Sequence, residues 1–88
     1  MRNLTDDTVS LLRSLVQIPS VCGDESRIAE FISNWLTERK LPVEMLEVKP
    51  RRLNVICRLK GRDNGPRLLL NGHMDTVPPG EGWVHAPY

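Results

Sequence analysis

The chain has little of three things that usually announce a compartment or a partner: long apolar runs, cysteine, and a charge excess of one sign. No apolar run approaches the roughly 18 residues needed to span a bilayer. Met1-Arg2-Asn3 leads into Asp6 and Asp7 instead of the apolar core of a secretory leader. Neither a membrane partner nor export is indicated, and a cytoplasmic setting is expected. The two cysteines, Cys22 and Cys57, lie far apart and match no CxxC or zinc-finger spacing, so a disulfide framework has no support. Lys+Arg 12 against Asp+Glu 11 leaves a formal charge of +1. The basic residues are dispersed except at Lys49-Pro50-Arg51-Arg52, which reads as a solvated loop before it reads as a phosphate site, so no nucleic-acid partner is indicated. There is no internal repeat and no low-complexity tract.

What is present is one domain at most. A chain of 88 residues buries only about 60–65% of its unfolded surface, which limits it to a modest core. Its first half has helical periodicity. Thr5 is a candidate N-cap, with Asp6 and Asp7 in the first turn and Leu4 placed to staple against Val9. Val9, Leu12, Leu15 and Val16 form the apolar stripe, and Pro19 ends the helix. After Ser20-Val21-Cys22-Gly23, Asp24 is the second N-cap candidate. Ile28, Phe31, Ile32, Trp35 and Leu36 then recur at i, i+3, i+4, i+7 and i+8, the clearest helical pattern in the chain.

Beyond Pro42 the period falls to about 2. Val43 to Val48 is a strand candidate, and Leu53, Val55, Cys57 and Leu59 alternate as a second one, with Cys57 read as a buried structural thiol. Leu68-Leu69-Leu70 suits a third strand buried on both faces. Gly61 to Gly65 has the composition of a hairpin loop, which makes the second and third strands antiparallel neighbours. The expected fold is α/β: two helices, then three strands. Its core draws on both helical stripes, Leu53, Val55 and Leu59, and Leu69 of the third strand.

The chemistry gathers where that third strand ends. Asn71-Gly72 breaks the apolar run, His73, Asp75 and Thr76 follow, and Pro78-Pro79-Gly80 stiffens the departing loop. Strand ends of open α/β sheets are where binding groups collect. A histidine is a common metal ligand, and its second nitrogen needs a carboxylate or carbonyl partner, a role Asp75 could fill. A lone His-x-Asp pair also arises by chance, as a surface histidine beside a turn aspartate. Cys22 has no neighbour in sequence that would activate it as a nucleophile.

The heptapeptide Gly72-His73-Met74-Asp75-Thr76-Val77-Pro78 closely resembles the G-H-x-D-[TV]-V-P signature of the M20 peptidase family. That family includes acetylornithine deacetylase, succinyl-diaminopimelate desuccinylase, aminoacylase and carboxypeptidase G2. Ile18-Pro19-Ser20-Val21 with Gly23-Asp24-Glu25 is similar to the family's link between its first two helices, and Trp83 followed by Pro87-Tyr88 to its W-x-x-x-P-[FY] segment. The resemblance implies a three-layer α/β/α catalytic domain holding two zinc ions, or cobalt in their place. It implies His73 as a ligand of one zinc and Asp75 as the active-site acid that orients it. His85 falls at a variable position and is read as a loop histidine before a ligand. The implied reaction is amide hydrolysis of N-acyl amino acids or small peptides, in an enzyme that can form homodimers.

Family members continue for several hundred residues, through a metal-bridging aspartate, a Glu-Glu pair and further ligands. None of these lies within residues 1–88. The expectation is therefore an incomplete N-terminal portion of a catalytic domain, inactive alone, with no second domain. A non-catalytic α/β module with a vestigial site, or a chaperone-like or regulatory metal-binding protein, are the readings from other classes.

Overall fold

A computed structural model describes residues 3–88. Two helices, α1 (Leu4–Val16) and α2 (Ser26–Glu38), are followed by two strands, β1 (Val43–Lys49) and β2 (Arg52–Cys57), giving an α/β arrangement. Among the described residues no helix is long and apolar enough to cross a membrane.

Helix α1 begins two residues earlier than its sequence suggests. Asn3, not Thr5, is the N-cap: its side-chain oxygen accepts the Thr5 N–H at 2.9 Å. Asparagine caps at least as well as threonine, and Thr5 becomes a first-turn residue. Leu4 is then exposed and staples nothing. At the other end Gln17 N–H reaches the Arg13 carbonyl at 3.1 Å, and the chain leaves the helix ahead of Pro19. In α2 the N-cap position belongs to Glu25 and not to Asp24, and the Glu25 side chain makes no capping bond. It is turned back into the preceding loop.

The strands pair as an antiparallel hairpin with Met45 opposite Val55 and Leu46 opposite Asn54, and a bulge between Glu47 and Lys49. The turn falls at Pro50-Arg51, where Arg51 takes a φ of 66°. The basic cluster is thus the hairpin turn. Helix α2 packs on both strands. Ile28 and Ala29 are buried, and Phe31, Ile32, Trp35, Leu53, Val55 and Ile56 are half-buried around them. Arg39 lies over the Trp35 ring, 3.5 Å from its centroid, and covers the ring's outer face. A helix laid on a two-stranded hairpin is the smallest unit that gives such a ribbon an apolar partner.

Three further expectations fail. The first concerns α1, which has no buried residue: Val9, Leu12 and Val16 are 47%, 59% and 55% exposed. The apolar stripe exists, but α2 occupies the hairpin face, and the stripe instead borders an open cleft described below. The second is the extent of β2. It ends at Cys57, whose thiol is exposed, and Leu59 lies outside it in the open. Pairing governs this limit, because Cys57 faces Val43, the first residue of β1, and the ladder has no further partner. The third is the strand at Leu68–Leu70. The three leucines are 84–85% exposed and pair with no strand among the described residues. A doubly apolar run has the pattern of a central strand, but such a strand exists only with neighbours on both edges. Gly61 to Gly65 accordingly closes no hairpin.

Candidate metal-binding loop

The loop from His73 to Thr76 is fixed by backbone pairing with a segment more than fifty residues earlier. Thr76 and Val21 form an isolated parallel bridge. Thr76 N–H donates to the Ser20 carbonyl at 2.8 Å, and Cys22 N–H donates to the Thr76 carbonyl at 3.3 Å. Ser20 is almost fully buried by this contact and the helices beside it. The segment joining α1 to α2 therefore acts as a short strand for the motif, in place of the expected β2 neighbour.

Within the loop His73 bends back onto Asp75. Its Nδ1 lies 2.9 Å from the Asp75 carbonyl oxygen and 3.2 Å from Asp75 Oδ1. Both partners are acceptors only, so Nδ1 carries the proton and donates. In the neutral ring Nε2 is then left with its lone pair. The His73 side chain is 83% exposed and that of Asp75 is 40% exposed, so Nε2 is open to a ligand while the carboxylate is held against the ring. This is the arrangement a metal-binding imidazole needs: one nitrogen oriented by oxygen partners, the other free.

The linker that carries Thr76 is itself built tightly. Gly23 takes a φ of +97°, a conformation that side-chain-bearing residues rarely adopt, and Asp24 N–H closes the turn on the Val21 carbonyl at 2.8 Å. Glu25 is buried at 6% exposure, and its carboxylate accepts from Gly23 N–H and from Arg52 Nε of β2. Arg52 Nη2 also approaches Cys22 Sγ at 3.9 Å. The hydrogen bond and the charge of Glu25 hold the Arg52 guanidinium still further above its already high ordinary pKa. Sequence reasoning passed over this pair, because an acid at a helix start ordinarily faces water and Arg52 sits in a charged run.

On the far side of the loop an apolar cleft of about 520 Å³ opens between α1, α2 and the C-terminal segment. Leu12, Val16, Ile28 and Ile32 line one wall, with Met74, Val77 and Trp83 opposite. Trp83 Nε1 donates to the Pro79 carbonyl at 2.6 Å, which ties the proline turn to the ring. His85 is exposed and lines an adjoining depression with Glu81 and Trp83, which does not include His73. Among the described residues no three His, Cys, Asp or Glu side chains gather closely enough to hold a metal ion. The donor set around His73 and Asp75 fits one imidazole ligand and its orienting acid.

Comparison with known proteins adds relatives but no structure. A probable carboxypeptidase of Emericella nidulans is 40% identical over 73 residues, covering 81% of this chain and 17% of the relative. A probable carboxypeptidase of Arthroderma otae is 34% identical over 86 residues, covering 85% of this chain and 19% of the relative. An acetylornithine deacetylase of Vibrio campbellii is 37% identical over 71 residues, covering 80% of this chain and 18% of the relative. The chain spans about a fifth or less of the length of these curated relatives. No family model matches it, and no solved structure matches it.

Proposed function

We propose that residues 1–88 are the N-terminal portion of the catalytic domain of a zinc-dependent amidohydrolase of the M20 type, which cleaves N-acyl amino acids or small peptides. The observation that carries this reading is the His73 imidazole, with Nδ1 donating to Asp75 and Nε2 open to solvent. The names of the relatives, carboxypeptidase and acetylornithine deacetylase, support the same reaction class. Both classes of enzyme act on an amide beside a free carboxylate.

In this reading His73 would hold a zinc ion through Nε2, and Asp75 fixes the tautomer and orientation of the ring. A bound zinc ion supplies Lewis acidity toward the scissile carbonyl and a water acidified toward neutrality. The chain's own part is orientation. Thr76, anchored to Ser20 and Cys22, keeps Asp75 where it can face the ring, and Pro78-Pro79 limits where the following chain can go. A catalytic zinc takes about three protein ligands and an open position, so the remaining ligands and the general base come from other parts of the domain.

The test has two arms. Zinc titrated into chain labelled with 15N in its imidazoles should shift His73 at Nε2 and leave the Nδ1 proton in place. In the complete domain, turnover of N-acetyl or N-succinyl amino acids should be lost on chelation and in His73→Ala. Turnover that survives both would end this reading.

A non-catalytic α/β module with a vestigial metal site is the second reading. It is favoured by the lack of a third metal-binding side chain near His73 among the described residues. Weak zinc binding at His73 in a complete domain that hydrolyses none of these substrates would select it.

A further inference from the structure

We propose that Glu25 and Arg52 are positioning residues for the His73–Asp75 loop, acting through the Ser20–Gly23 segment and Thr76. This rests on the metal-binding role proposed above for His73, but its geometry is independent of it.

The argument begins with the cost of burying a charge. A carboxylate taken out of water is tolerated only where donors replace its hydration. Glu25 is buried, stands at the N-cap of α2, and receives two donors, Gly23 N–H and Arg52 Nε. It does not use its side chain to cap its own helix. The carboxylate instead ties three elements together: the start of α2, the glycine turn of the linker, and the first residue of β2. Arg52 is the strand residue next to the hairpin turn, so the anchor belongs to the most regular part of the fold.

What the anchor holds is the linker's extended edge. Gly23 and Cys22 are adjacent, and the Arg52 guanidinium reaches Cys22 Sγ as well. Cys22 N–H and the Ser20 carbonyl are the two groups that pair with Thr76. Thr76 follows Asp75 directly, and Asp75 presents both its carbonyl and its carboxylate to His73 Nδ1. Between the first residue of β2 and the imidazole there is thus an unbroken run of hydrogen bonds and single peptide links. Among the described residues no other pairing of the motif loop with regular structure is as direct: the residues from Arg58 to Asp75 carry no strand.

The experiment uses the full chain, labelled with 15N, and three variants: Glu25→Gln, Arg52→Met, and Glu44→Gln as a control that breaks the exposed Glu44–Arg58 pair on the same hairpin. Hydrogen exchange is read amide by amide, and zinc affinity is read from the His73 ring signals. Glu25→Gln and Arg52→Met should each speed exchange of the Thr76 and Cys22 amides at least 10-fold, while Val55 and Met45 in the hairpin stay protected. Zinc affinity at His73 should fall about 10-fold in both, the low end for loss of a group supporting a metal ligand. Glu44→Gln should change neither. Unchanged Thr76 exchange in Glu25→Gln would overturn the proposal. So would exchange that quickens evenly over α2 and both strands, or loss of the helical far-UV signal, since either makes the pair a support of the whole fold. If zinc does not bind His73 in the unmodified chain but Thr76 is released as described, the anchor stands and the metal-binding reading fails.

Discussion

His73 Nδ1 faces two oxygens of a single residue, the backbone carbonyl and the carboxylate of Asp75, at 2.9 and 3.2 Å. The redundancy separates two roles that a single partner would merge. The carbonyl is enough to fix which nitrogen carries the proton, and the carboxylate adds negative charge beside the ring.

Asp75→Asn should therefore keep the tautomer and lose the charge. Zinc affinity at His73 should drop by about 10–100-fold, with the Nδ1 proton still present in the ring spectrum. Competition against a chelator of known affinity gives the first quantity, and 15N imidazole shifts give the second. A proton found on Nε2 in the variant would show that the carbonyl does not set the tautomer.

Gly23→Ala isolates the strain of the linker turn. The position has a φ of +97° and open space around an added Cβ, so no clash contributes. The left-handed conformation should cost about 1–2 kcal/mol, read as a lower urea midpoint at unchanged slope. Gly72→Ala, also in open space and without a positive φ, should cost much less.

The core makes a sharper contrast. Ile28 is buried at 6% exposure and Leu69 is 84% exposed, although the sequence pattern placed both in the core. Ile28→Ala should cost about 2–5 kcal/mol and leave so small a core largely unfolded at room temperature. Leu69→Ser should stay within about 0.5 kcal/mol of the unmodified chain. A large loss at Leu69 would mean that the run is covered in solution.

Arg52 gives a pH prediction. Its pKa is raised in the folded chain, chiefly by the hydrogen bond with Glu25 and then by that residue's charge. A raised pKa means that the arginine's contribution is fully present below the ordinary arginine value and is lost only as pH climbs through the folded one. The anchor should therefore be indifferent to pH from neutrality to about 10. In Arg52→Lys the loss should move into reach, near the ordinary lysine value of about 10.4 or somewhat above it. Thr76 amide signals followed through an alkaline titration will show whether the two chains part there.

Helices were legible from the sequence because their signal is local. Ile28 to Leu36 repeats with the helix's own period, and Asn3 or Thr5 as cap shifts the boundary by only two residues. The two strands were legible as separate runs, but neither their pairing with each other across Pro50-Arg51 nor the end of β2 was, since the end of β2 is set by where β1 begins. Leu68–Leu70 has strand composition without strand pairing, and pairing is a property of neighbours and not of the run. His73 and Asp75 stood out as a motif, and their mutual geometry is local enough to follow from a two-residue spacing. The Glu25–Arg52 contact crosses from helix to strand, and a burial of that kind leaves no mark on either residue's surroundings in sequence.

The bridge between Val21 and Thr76 also carries a consequence for the order in which the chain assembles. The β1–β2 hairpin closes across a tight turn, an event of about 1–10 μs, whereas the bridge must close a loop of roughly 55 residues. Loop-closure entropy rises by only about 0.6 kcal/mol per doubling of length, so the delay comes mainly from needing the linker turn and the hairpin in place first. His73 is then among the last groups to find its position during refolding. A Trp35→Phe chain leaves Trp83, bonded to Pro79 just past the motif, as the sole indole. Its fluorescence should settle in a phase slower than the far-UV signal of the helices.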